Sequence, residues 1–171
     1  MLSREQILKY LKLLGEELHI RGMHGEILLT GGASMCLVHE ARDMTKDIDA
    51  LYEPKTIINK IVSDIAEQYD LPVDWLNDGV KGFVGDNADV EDYIALEGLR
   101  VQTVSTEYLL AMKLMSARYG EKDYDDIRFL FNKLNVDSID TAYDIIQKYY
   151  ALNRILPKTR YIIEEIIEST N

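Results

Sequence analysis

Cysteine is almost absent from this chain of 171 residues, and Cys36 stands alone. A single cysteine excludes a disulfide framework and fits a reducing compartment, so a cytoplasmic location is expected. Proline is scarce too, with three in all, and there is no Ser/Gly-rich stretch to act as a flexible linker. No apolar run approaches the roughly 18 residues of a membrane span. The opening MLSREQILKY lacks the continuous apolar segment of a signal peptide, so no membrane association is expected. Positive charge is in short supply, with 19 Lys and Arg against 30 Asp and Glu for a net charge of −11. Residues 1–85 carry 9 basic and 14 acidic side chains and the remainder 10 and 16, so neither half is a basic arm. Coating nucleic acid through a broad basic face depends on neutralising phosphates, and this chain has no means of doing so. What remains is 47% apolar and 29% charged, enough to bury a core and unlike a disordered segment.

Periodicity divides the chain in two. Ser3 with Gln6 forms a capping-box pattern, and Ile7, Leu8, Leu11, Leu14 and Leu18 follow at helical spacing until Gly22 and Gly25. Glu26–Thr30 predicts a short buried strand that runs into Gly31-Gly32, with a short helix over Ser34–Glu40. Asp47–Leu51 alternates like a strand with one wet face. Pro54 opens a helix marked by Ile57, Ile58, Ile61, Val62 and Ile65. Val73–Leu76 predicts a third strand, and Tyr93–Leu96 with Leu99–Val104 a hairpin around Glu97-Gly98. After Ser105 the pattern is helical, over Thr106–Ala117, Glu121–Asn135, Ser138–Leu152 and Pro157–Ser169. The expected organisation is an α/β part, 1–104, and a helical C-terminal part, 105–171, packed on it.

The chemistry concentrates in Leu28-Leu29-Thr30-Gly31-Gly32-Ala33-Ser34 and, twelve residues on, Asp47-Ile48-Asp49. Glycines at the end of a strand let backbone approach a phosphate closely. A helix N-terminus offers N–H groups to an anion, and the Ser34 hydroxyl would add a donor. Asp47 and Asp49, two apart on a strand, project from one face. Paired carboxylates repel unless a cation neutralises them, and Mg²⁺ usually takes one or two carboxylates together with substrate phosphates. Each element alone has a plain structural explanation, as a tight turn or a solvated edge. Their order and spacing instead suggest the apparatus of metal-assisted phosphoryl or nucleotidyl transfer.

These residues resemble the polymerase-β-like nucleotidyltransferase superfamily, whose signature is GG or GS, a gap of this size, then D-x-D. The resemblance covers about Glu26 to Val104. A later segment, Val104–Leu114 with Ala117-Arg118 and Lys122-Asp123-Tyr124-Asp125-Asp126-Ile127, is similar to the helical region of the abortive-infection type IV toxin nucleotidyltransferases. The resemblance implies an α+β nucleotidyltransferase fold, a small mixed sheet with packed helices followed by a C-terminal helical part. It implies transfer of a nucleoside monophosphate from an NTP to an acceptor hydroxyl on RNA, a protein or a small molecule, with Mg²⁺ or Mn²⁺, in a toxin-like component with a possible antitoxin partner. In this scheme Asp47 and Asp49 hold metal, Gly31, Gly32 and Ser34 hold the β/γ-phosphates, and Lys113 contacts the triphosphate. A third carboxylate that binds metal and helps activate the attacking hydroxyl falls on Asp74, with Asp92 its rival. Asp123 and Asp126 would orient Lys113 or Arg118; equally, they are an acidic helix start. A non-catalytic nucleotide-binding or partner protein that keeps the fold is the alternative.

Other chemistries find no support. His19, His24 and His39 have no metal-ligand spacing, so a zinc site is not expected. Neither GxxxxGK[ST] nor GxGxxG occurs, and no GxSxG surrounds Ser34.

Overall fold

In a computed structural model, residues 1–85, 87–118 and 121–169 are described. They divide into two compact units, Met1–Lys81 with Val90–Val104, and Gly82–Asp89 with the chain from Ser105 onward.

The first unit is built on a mixed five-stranded sheet. Its strands are β2 (Gly25–Leu29), β4 (Ile48–Glu53), β5 (Leu76–Asn77), β6 (Val90–Leu96) and β7 (Leu99–Val104), in the order β5-β4-β2-β7-β6. β2 runs antiparallel to β4 and parallel to β7, with Leu28 opposite both Leu51 and Gln102. A two-stranded sheet pairs β1 (Leu2–Ser3) with β3 (Met44–Thr45), in the register Leu2 to Thr45. Four helices belong to this unit or lead out of it: α1 (Arg4–Ile20), α2 (Gly31–Leu37) and α3 (Lys55–Tyr69) here, and α4 (Thr106–Ser116) at the start of the second unit.

The forces behind these elements are local. The capping box is formed, with the Ser3 side chain accepting from the Gln6 N–H and the Gln6 side chain accepting from the Ser3 N–H. The apolar stripes of α1 and α3 then bury Ile7, Leu11, Leu14, Leu18, Ile58, Ile61 and Ile65 against Ile27, Leu29, Ile48, Ala50, Leu99 and Val101. Strand alternation does the rest. Ile48, Ala50 and Tyr52 are buried while Asp49 and Leu51 are half-buried, which sends Asp49 to the face away from that core.

The expected strand over Val73–Leu76 is not formed as such. Pro72–Trp75 closes a turn, with the Trp75 N–H donating to the Pro72 carbonyl, and pairing begins only at Leu76. The Trp75 ring is buried and its Nε1–H donates to the Val62 carbonyl at 3.0 Å. That anchor fixes the chain by one large side chain instead of by alternation, and it leaves Val73 80% exposed.

The second unit packs α4 with α5 (Glu121–Leu134), α6 (Ile139–Gln147) and α7 (Pro157–Glu168). Ser105 caps α4 by accepting from the Tyr108 N–H. Segment 82–89 is fastened here: the Gly85 N–H donates to the Tyr108 hydroxyl at 2.8 Å, and the Tyr150 hydroxyl donates to the Phe83 carbonyl at 2.6 Å. Burial pushes the Tyr150 phenol well above its ordinary pKa, so it remains a donor at any ordinary pH.

Candidate active site

The glycine turn and Asp49 meet at one corner of the first unit, and Asp47 precedes Asp49 by two residues, outside the strand that was expected to carry both. β2 ends at Leu29, and Gly31 opens α2 with φ at +54°, a left-handed conformation that glycine adopts without strain. A Cβ added at Gly31 would lie 3.2 Å from Asp49 Oδ2. The carboxylate therefore sits directly against the turn, as the order GG then D-x-D implies. Asp47 occupies the bend just before β4, partly exposed. On the other side of the turn, a Cβ at Gly32 would lie 3.2 Å from Arg42 Nη1 and would collide with Thr45 Oγ1. A side chain at Gly32 would therefore have to displace Thr45 or Arg42, whether or not a phosphate is bound.

The remaining predicted residues are placed differently. Ser34 is fully buried, and its hydroxyl is 2.7 Å from the Thr103 hydroxyl, itself buried. That bond ties α2 to β7, so the Ser34 side chain does not offer the phosphate donor expected of it. Asp74 lies exposed in the Pro72–Trp75 turn, off the strand face. Strand register sets Asn77, an amide, beside Asp49. Asp92 is on β6, separated from β4 by β2 and β7. At about 4.8 Å per strand that is roughly 14 Å from Asp49. Its carboxylate is also engaged, with Arg100 Nη2 at 2.7 Å and Gln102 Nε2 at 3.3 Å. Among the described residues, no group of three His, Cys, Asp or Glu side chains could hold a metal ion.

Lys113 belongs to the helical unit. Its Nζ lies 2.5 Å from Asp126 Oδ2, with side-chain exposures of 10% and 4%. An ammonium in so apolar a helix segment needs a counter-charge, and α5 supplies it. Asp123 does not orient Lys113. Its carboxylate accepts from the Arg118 backbone N–H at 3.3 Å, and the Arg118 side chain is exposed.

Two neighbours of the corner, and one residue farther along the sheet edge, escaped a reading by motif. Thr30 and Thr45 are buried beside the turn. Asp78, just past β5, forms an ion pair with Lys55, which holds the Asp78 carboxyl below its usual range and raises the Lys55 ammonium above its own. The signal for Thr45 was present in the sequence, since a hydroxyl two residues before Asp47 can bond its carbonyl.

A mixed five-stranded sheet with packed helices, and a glycine turn against the Asp49 carboxylate, defines a nucleotidyltransferase-like α+β fold. A family model described as "Nucleotidyltransferase of unknown function (DUF6036)" matches residues 7–162, and the chain belongs to that family. No curated protein and no solved structure matches it.

The corner's donor set suits a hard divalent cation. Carboxylate oxygens such as those of Asp47 and Asp49 are the hard donors a divalent cation takes, and Asp49 Oδ2 faces the backbone of Gly31. No helix among the described residues is long and apolar enough to cross a membrane.

Proposed function

We propose that this protein transfers a nucleoside monophosphate from an NTP to an acceptor hydroxyl, with release of pyrophosphate, at the corner formed by Gly31, Gly32, Asp47 and Asp49. The observation that carries this reading is the Asp49 carboxylate held against the Gly31 backbone, 3.2 Å from where a Cβ would stand. Gly31 and Gly32 let the β/γ-phosphates lie close to the main chain. Asp47 and Asp49 would hold Mg²⁺ or Mn²⁺, which when bound supplies the positive charge that offsets the phosphates. The acceptor is an RNA end, a protein hydroxyl or a small molecule. A toxin-like role alongside an antitoxin rests on the resemblance of the Lys113 and Asp123–Asp126 segments alone.

A second reading has one observation in its favour: the pair has no third carboxylate beside it among the described residues. A protein built that way could bind a nucleotide without transferring it. Incubation with each of the four NTPs labelled at the α-phosphorus, Mg²⁺ and cell extract separates the two. Transfer predicts label on a defined acceptor, abolished by EDTA. NTP binding with no labelled acceptor under any of the four NTPs would leave the binder.

A further inference from the structure

Thr30 is 0% exposed and sits at the N-cap position of α2, where a threonine ordinarily gives its side-chain oxygen to the helix. Here it makes no cap bond. Its N–H and its Oγ1–H both donate to the backbone carbonyl of Asp49, each at 3.0 Å. Thr45, 3% exposed, ends β3 and donates its Oγ1–H to the backbone carbonyl of Asp47 at 3.2 Å. Each buried hydroxyl therefore grips the main chain of one member of the carboxylate pair. Thr45 does more, because its Oγ1 also fills the space beside Gly32, and its backbone is paired to Leu2. One side chain thus sets the glycine turn and the Asp47 peptide against each other.

We infer that Thr30 and Thr45 are positioning residues that fix the two carboxylates relative to the glycine turn, and through them the affinity of the site for its divalent ion. The inference rests on the proposal that Asp47 and Asp49 hold that ion. A carboxylate's reach is set by its Cα and two side-chain torsions, so a shifted peptide misplaces the oxygens by a similar amount. Coordination tolerates little of that, and loss of such outer contacts typically weakens metal binding about 10–100-fold. The diversion of Thr30 from its cap is itself informative. A local preference is given up beside the proposed site, which is where such exceptions tend to fall.

The test is a Mn²⁺ titration of the full chain, followed by the electron paramagnetic resonance signal of the free ion, with the melting temperature of each variant measured alongside. Wild type should bind Mn²⁺ and Asp49→Asn should not, which checks the carboxylate pair itself. Thr45→Val and Thr30→Val, which keep shape and lose the hydroxyl, should each weaken binding about 10-fold or more. Thr45→Ser keeps the donor and should stay within about twofold of wild type. If Asp49→Asn loses Mn²⁺ while both valine variants bind as wild type does, the threonines are structural only and the inference is wrong. Serine behaving like valine at position 45 would also overturn it, because the methyl group and not the hydroxyl would then matter. Wild type without saturable binding, or Asp49→Asn binding normally, would overturn the carboxylate assignment and the inference with it. Should Thr45→Val not fold, Thr30→Val and Thr45→Ser still decide the question.

Discussion

Asp47 and Asp49 in the α/β unit and Lys113 in the helical unit are all assigned to the nucleotide site by the sequence, yet the structure treats them differently. The two aspartates stay partly exposed, their main chain held by Thr30 and Thr45 and the Asp49 carboxylate turned to the Gly31 backbone. Lys113 is buried and 2.5 Å from Asp126, thirteen residues along on the next helix. In the first region buried hydroxyls hold the peptides of two partly exposed aspartates. In the second the protein matches charge with charge inside the unit. Sequence order brings Asp49 against the glycine turn, whereas the pairing of Lys113 depends on what a separate helix presents.

The comparison can be broken most directly at the aspartates. Asp47→Ala or Asp49→Ala should lower nucleotidyl transfer by about 10²–10³-fold, the scale of losing a transition-state charge contact. The Tm should stay within about 2 °C of wild type, because neither carboxylate is in the core. Activity and Tm measured on one preparation check both halves.

Lys113→Met should act on stability. It keeps the stem and leaves Asp126 buried without its ammonium, and breaking such a pair costs about 3–5 kcal/mol. In a chain of this size that lowers Tm by about 10 °C, read by thermal unfolding. Replacing both partners with apolar residues should recover most of the loss. An unchanged Tm for Lys113→Met would show that the pair is not what holds these helices.

Gly32→Val forces a side chain into space held by Thr45 and Arg42, an overpacking cost of about 1–3 kcal/mol. It should weaken NTP binding as well, since Thr45 must move. Tyr150→Phe removes the hydroxyl that bonds Phe83 and meets Tyr108 and should cost about 1 kcal/mol, seen as a small shift in the denaturation midpoint with transfer unaffected.

The smallest expected effect is a pH dependence. Asp78 has its pKa lowered from 3.8 by Lys55, so its contribution is present above that value and lost as pH falls through the lower folded value. Lys55 has its pKa raised from 10.5, so its contribution is present below 10.5 and lost as pH rises beyond it. The pair is exposed to solvent, and Lys55→Ala should therefore lower Tm slightly between these limits and not outside them.

Much of this was legible in the chain. The Ser3 capping box, the helical stripe after Pro54, the hairpin at Glu97-Gly98 and the closeness of Asp49 to the glycine turn all rest on local rules, and each is found at its expected place; Asp47 falls in the bend before β4 instead of on the strand. Asp74 was misplaced because alternation over four residues is a weak constraint beside one anchored indole at Trp75. Ser34 was misjudged because its partner, Thr103, lies 69 residues away on β7. The pairing of β1 with β3 involves two residues on each side, too few to leave a pattern. Segment 82–89 belongs with the helical unit through Tyr108 and Tyr150, a long-range attachment that no linear boundary conveys.

The most direct test of the central claim uses two labels on one NTP. With Mg²⁺ and a cell extract, label at the α-phosphorus should move to the acceptor and label at the γ-phosphorus should leave as pyrophosphate, and both should stop with Asp49→Ala. Label from the γ-phosphorus on the acceptor, or α-label still transferred by Asp49→Ala, would contradict the account.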